Sequence, residues 1–290
     1  MTAWGWRLGL VAILAGLTVL GVRLWQEVRI ERVVSVTAHR GSSRDAPENT
    51  LAAVRTAIEQ AADYAEIDIH LTADGVPVVL HDEDLQRLAG DPRRPGELAL
   101  AELQRIDVGA RFSPAFAGET IPTLAAAIDT ARGRIRLNIE LKPTDRGHGR
   151  DALAMAVADL IRTQDFEAEC FVTSLDQEAV AAARRRNPRL RTGAIVSAAV
   201  GDISRLPVDV LSVRTGLITE GLLGRAHAAG QEVHAWTIDD PKAMGELIDQ
   251  GVDGLITNDP AAALSVRRGR QELPAWERVI LGFRRRLAGR

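Results

Sequence analysis

The chain has 290 residues, 46% of them apolar, enough to build one large α/β domain and too many to suggest disorder. Its formal net charge of -3 lacks the basic surplus that neutralises nucleic-acid phosphates, so nucleic acid is not an expected partner. A single cysteine, Cys170, excludes an intrachain disulfide and a cysteine-based zinc site.

The first element is Leu8 to Val22, an uncharged apolar run flanked by Arg7 and Arg23, with Trp4, Trp6 and Trp25 just outside. As a helix, Leu8 to Trp25 spans roughly 27 Å, close to the hydrocarbon thickness of a bilayer. The flanking arginines can reach headgroups and the tryptophans suit the interface. A single-pass N-terminal transmembrane helix is predicted rather than a cleaved signal peptide, because no small-x-small site follows the run. Residues 1–32 then form a membrane anchor and juxtamembrane segment, with the lipid bilayer as partner. Arginines on both sides leave the membrane side open.

After the anchor, short apolar runs alternate with longer segments of helical period, the pattern of repeated βα units. The strands read as Val33–Ala38, Tyr64–Ile69, Ile135–Leu141, Cys170–Thr173, Arg191–Val196, Val208–Val213, Glu232–Thr237 and Gly254–Thr257. Helix candidates fall between them, the connection after the fifth strand being the shortest. Eight such strands predict a (β/α)8 TIM barrel over residues 33–268. A doubly wound sheet is the alternative, and no G-x-G-x-x-G follows the first strand to support it.

A further run, Val76 to Leu80, is joined to the second strand through Asp74-Gly75, too short a link for a parallel neighbour. It predicts a hairpin at the barrel's C-terminal mouth, with His81 opposite Asp68. Residues 83–120, with a short helix near Leu100 to Ile106, become a small insertion over that mouth. At the chain's end, residues 269–290 read as a basic amphipathic helix with Trp276, Val279, Ile280, Phe283 and Leu287 on one stripe. Packing on the barrel and lying on an anionic membrane are both open to it.

Chemistry in such a barrel sits at the C-terminal strand ends. There the chain places His39-Arg40, Glu66 and Asp68, His81-Asp82, and Glu140 and Lys142. Alternation at period two sends Glu66 and Asp68 to one face, and Glu140 and Lys142 likewise. Three carboxylates in an apolar barrel call for a hard divalent cation, magnesium or calcium rather than zinc. Two imidazoles with an ordinary pKa of about 6.5 can divide general-base and general-acid work. Arg40 and Lys142 suit an anionic phosphate. Trp236, ending the seventh strand, is either a pocket wall or core. Glu48-Asn49-Thr50 reads first as a helix cap, with an approach of Glu48 to the metal site as the alternative. Asp82 suits orienting a histidine or holding the hairpin better than binding metal. His70, His148, His227 and His234 lie outside the motifs and read as structural.

The ordered set H-R-G (39–41), P-E-N-T (47–50), E-I-D (66–68), T-A-D-G-V-P-V-V-L-H-D (72–82), N-I-E-L-K (138–142), A-W-T-I-D (235–239) and D-G-L-I-T-N-D-P (253–260) closely resembles the glycerophosphodiester phosphodiesterase family. The resemblance covers about residues 36 to 262. It implies hydrolysis of a glycerophosphodiester to sn-glycerol 3-phosphate and an alcohol on a (β/α)8 barrel. It further implies His39 and His81 as the acid/base pair, one divalent cation, Mg²⁺ or Ca²⁺, on Glu66, Asp68 and Glu140, and phosphate contacts from Arg40 and Lys142. With an anchor, lysophospholipid substrates cleaved at the bilayer surface are an alternative, and a silent binding barrel is a more distant one. The family's usual T-D-x-P reads T-N-D-P at Thr257–Pro260, a departure expected to touch a loop rather than the chemistry.

Overall fold

The computed structural model describes residues 33–143, 149–199, 201–274 and 277. The predicted anchor in 1–32 and the stripe from Trp276 to Leu287 lie outside the described residues. Among those described, no helix is long and apolar enough to cross a membrane.

The strands are β1 (Ser35–Ala38), β2 (Tyr64–Leu71), β3 (Pro77–Val79), β4 (Arg136–Leu141), β5 (Cys170–Ser174), β6 (Arg191–Val196), β7 (Val210–Arg214), β8 (Glu232–Trp236) and β9 (Gly254–Thr257). Their order is β1-β9-β8-β7-β6-β5-β4-β2-β3, and a further β1–β2 pairing closes the sheet. All pairings are parallel except β2–β3, so eight strands make the closed barrel and β3 stands outside it. Residues Val34–Arg268 form one compact unit.

Crossover helices cover the barrel: α1 (Leu51–Glu59), α4 (Leu124–Ala131), α5 (Gly149–Thr163), α6 (Gln177–Arg186), α7 (Glu220–Ala228), α8 (Pro241–Gln250) and α9 (Pro260–Gln271). Between β6 and β7 a single 3₁₀ turn, Ile203–Arg205, replaces a helix. Side-chain oxygens of Thr50, Thr123, Asp176, Thr219 and Asp240 cap five of these helices, each cap stabilising by about 1 kcal/mol. Odd and even strand positions divide cleanly. Leu211 and Val213 of β7, with Val233 and Ala235 of β8, pack outward against Leu222, Leu223 and Met244 of the helices. Val210 turns inward with Tyr64 and Phe171 to fill the barrel floor.

That floor, at the N-terminal strand ends, pairs its rings and charges with one another. The Tyr64 and Phe171 rings meet edge to face at 5.3 Å, and the Arg136 guanidinium lies 4.0 Å from the Tyr64 ring centre. Glu232 bridges Arg191 at 3.0 Å and His234 at 3.2 Å. The His234 hydrogen bond, opposed by burial, holds the Glu232 carboxyl down to about 2. Cys170 opens β5 as a buried free thiol.

The hairpin register differs by one residue from the sequence expectation. Ile69 faces Val79 and the Leu80 N–H donates to the Asp68 carbonyl, so Leu80, not His81, stands opposite Asp68. The connection is a three-residue loop, Ala73 to Gly75, closed by Thr72 N–H to Val76 O at 3.0 Å, with Gly75 left-handed at φ 79°. The insertion carries its own small core of Leu85, Leu98, Leu103 and Val108 under Val78, Leu80 and Ile121. It contains two short helices, α2 (Gln86–Ala89) and α3 (Leu100–Leu103).

Candidate active site at the barrel mouth

The chain leaves β1 through two consecutive left-handed residues, Arg40 (φ 56°) and Gly41 (φ 76°). A Cβ on Gly41 would stand 2.6 Å from that of Ala53, so helix α1 passes too close for any other residue. For Arg40 the left-handed turn costs about 1 kcal/mol. It aims the Arg40 N–H at Glu66 Oε2, 2.7 Å away.

β2 and β4 then deliver three acids. Asp68 and Glu140 are direct cross-strand partners, and ligand oxygens of Glu66, Asp68 and Glu140 all lie within 4.8 Å of one another. Asn49, also left-handed, brackets Asp68: its Nδ2 donates to Asp68 Oδ2 at 2.8 Å and its Oδ1 accepts the Asp68 N–H at 3.1 Å. Glu66 Oε1 and Asp68 Oδ1 are buried without a hydrogen-bond partner. Burial and the neighbouring Asp68 and Glu140 push the Glu66 carboxyl well above its usual range, and burial with Asp68 pushes Glu140 up to about 7. Such a set can hold a cation.

The local cations do not cancel this charge. Lys142 Nζ is 3.1 Å from Glu140 Oε1 and 3.6 Å from Asp68 Oδ1. Burial lowers the Lys142 pKa, but Asp68 and Glu140 outweigh it and the net shift is upward. Arg40 Nη1 donates to Glu48 Oε1 at 2.8 Å, and its Nε lies 3.9 Å from Asp68 Oδ2. Glu48, read from sequence as part of a cap, is a clamp: Arg87 grips both its oxygens, at 2.8 and 2.7 Å. Thr50 alone caps α1.

The two histidines have different partners. His39 Nδ1 is 2.7 Å from Asn258 Oδ1, while Asn258 Nδ2 donates to Asp239 Oδ2 at 2.7 Å. Because the carboxylate requires the amide's donor end, Asn258 must turn its oxygen to His39, and His39 Nδ1 must carry the proton. Burial lowers the His39 pKa against the opposing Asn258 hydrogen bond. The departure T-N-D-P thus lies in the loop after β9, as expected, but it also sets Asn258 against the His39 ring. His81 Nδ1 instead meets a carboxylate, Asp82 Oδ1, at 2.8 Å. Burial raises the Asp82 pKa, but hydrogen bonds from Arg87 and His81 outweigh it and hold the group at about 2.

Trp236 is half-buried, and its indole N–H donates to the Ser212 carbonyl at 2.8 Å, which fixes the ring beside β7 at the rim. His70, read as structural, props the hairpin: its Nε2 lies 3.2 Å from the His81 carbonyl. Asp239 ends the A-W-T-I-D motif and Asn258 lies in T-N-D-P, but the sequence assigns a site role to neither of them, nor to Arg87. The T-N-D-P departure was the available signal for Asn258, and Arg87 gave none.

The chain matches the Glycerophosphoryl diester phosphodiesterase family over residues 39–262. It is 31% identical over 241 residues to a glycerophosphodiester phosphodiesterase of Caldanaerobacter subterraneus, covering 81% of this chain and 98% of the relative. Among solved structures it resembles an Oleispira antarctica phosphodiesterase in complex with the product sn-glycerol-3-phosphate, with TM-score 0.75, 31% identity, and coverage of 81% and 96%. A glycerophosphodiester phosphodiesterase from Agrobacterium tumefaciens superposes with TM-score 0.70 at 28% identity, covering 80% and 99%.

Proposed function

From the premise that the chain belongs to the glycerophosphoryl diester phosphodiesterase family, we propose that it hydrolyses glycerophosphodiesters to sn-glycerol 3-phosphate and an alcohol. The observation that carries this reading is the trio of Glu66, Asp68 and Glu140, with two buried carboxylate oxygens that accept no hydrogen bond from the protein. Hard oxygen donors in that number suit one Mg²⁺ or Ca²⁺. When bound, the cation polarises the phosphoryl group and offsets its charge.

The protein's own residues divide the remaining work. Arg40 and Lys142 flank the acids and face the phosphate as charged donors. His39, protonated at Nδ1, presents the Nε2 lone pair, and its lowered pKa keeps it neutral, so it is the general base. It takes the proton of the attacking oxygen, whether water or the substrate's glycerol hydroxyl. His81, its Nδ1 held by Asp82, is the general acid and donates its Nε2 proton to the departing alcohol oxygen. Trp236 walls the pocket.

The membrane placement belongs to the same proposal and rests on the Leu8 to Val22 run. Residues 1–32 tether a catalytic barrel at 33–268, and 269–290 adds a basic C-terminal segment whose first three residues complete α9. That run also favours a second reading, lysophospholipids as substrates at the bilayer surface.

The test is release of glycerol 3-phosphate by the purified protein from a panel of glycerophosphodiesters and lysolipids. Activity should vanish in excess chelator and return with Mg²⁺ or Ca²⁺. Full turnover in chelator overturns the metal assignment, and no release from any member of the panel overturns the activity.

A further inference from the structure

We infer that Arg87, carried to the mouth by the insertion, is a positioning residue that sets His81 for protonation of the departing alcohol. This rests on the general-acid reading of His81. Arg87 lies on α2, and its planar guanidinium spans two carboxylates. Its Nε donates to Asp82 Oδ2 at 2.7 Å. Its Nη1 and Nη2 donate to Glu48 Oε2 and Oε1 at 2.8 and 2.7 Å. The other oxygen of Asp82 faces His81 Nδ1 at 2.8 Å. Glu48 is itself fixed from the barrel side by Arg40 Nη1 at 2.8 Å. The chain of contacts therefore runs from the barrel through Glu48 and Arg87 to Asp82, and ends on the imidazole.

Each link has a definite mechanical effect. A carboxylate held on one oxygen rotates about its terminal bond, whereas Asp82, held on both, presents a fixed oxygen to His81. With Nδ1–H so engaged, the His81 ring is fixed in plane and Nε2 is the nitrogen left to carry the transferable proton. The bidentate grip on Glu48 anchors the guanidinium, and a lysine, with a single point of charge, cannot reproduce both edges. The Arg87 side chain is 49% exposed, so surface ion pairing is a weak reason for this geometry in terms of stability. The step it serves is simple to balance. The attacking oxygen bonds to phosphorus and gives its proton to His39, while the bond from phosphorus to the alcohol oxygen breaks and that oxygen takes the His81 Nε2 proton. Where the attacker is the glycerol hydroxyl, water then opens the cyclic diester to glycerol 3-phosphate.

The test compares two diesters of glycerol 3-phosphate on the full-length protein. One, glycerophosphoethanolamine, has an alkyl leaving group that needs a proton, and the other has a p-nitrophenyl group that departs unaided as an anion. Arg87→Ala should lose about tenfold or more in kcat on the alkyl diester, a share of the roughly 10²–10⁴-fold that a general acid supplies. On the nitrophenyl diester it should lose less than about threefold, at unchanged Tm. Arg87→Lys should follow Arg87→Ala. His81→Ala is the control and should show the same selectivity more strongly. Equal losses on both diesters in Arg87→Ala, or none on either, beside a selective His81→Ala, overturn the positioning role. A His81→Ala variant without selectivity overturns the acid assignment, and the inference with it.

Discussion

The floor and the mouth of this barrel are built from the opposite ends of the same strands, yet they treat acids in opposite ways. On the floor, Glu232 of β8 is gripped by His234 and Arg191 and its carboxyl is held at about 2. At the mouth, Glu140 of β4 has Lys142 at 3.1 Å and is still pushed up to about 7, because burial and Asp68 outweigh that one cation. The floor resolves its charges within the chain and so contributes to stability. The mouth leaves them unresolved, which points to an exogenous cation and an anionic substrate.

Substitutions should separate the two ends. The largest expected effect is at the mouth: His39→Ala should lower turnover by roughly 10²–10⁴-fold while leaving thermal unfolding unchanged. A loss below about tenfold would remove His39 from proton transfer. Phe171→Ala on the floor should do the reverse, costing about 3–5 kcal/mol in denaturant unfolding while activity per folded molecule persists. Collapse of turnover in the folded fraction would mean the floor also shapes the site.

A pH experiment sharpens the contrast. In chelator, Glu140 has a folded pKa of about 7 against an ordinary 4.5, so its protonated form is the one the fold favours. The Glu140 contribution to stability of the metal-free protein is then fullest below about 4.5 and is lost as pH rises through about 7. Melting temperature should fall across that window, and Mg²⁺ or Ca²⁺ should restore it. A flat profile in chelator would show that the acids are not in conflict. The smallest effect is expected for Glu232→Gln. That residue is 41% exposed, and the change should cost about 1 kcal/mol or less with turnover unaltered.

Much of the barrel was legible in sequence because its strands are short, apolar-rich runs set between segments of helical period. The E-I-D and N-I-E-L-K spacings put Glu66, Asp68, Glu140 and Lys142 on inward faces by alternation alone. What escaped depends on contacts between distant segments. Asn258 meets His39 across 219 positions, and Arg87 meets Glu48 across 39. No local period marks either pair. The hairpin slipped by one residue because Asp74-Gly75 suits a two-residue turn as well as the last two positions of a three-residue loop.

Cys170, at the start of β5, has a practical consequence. Burial pushes its thiol up to about 12, so at neutral pH it presents almost no thiolate to an alkylating reagent. A second cysteine introduced at exposed Ala115 on the insertion would therefore react alone. A fluorophore or spin label attached there would report on the surroundings of the insertion, with the native sulfur left untouched.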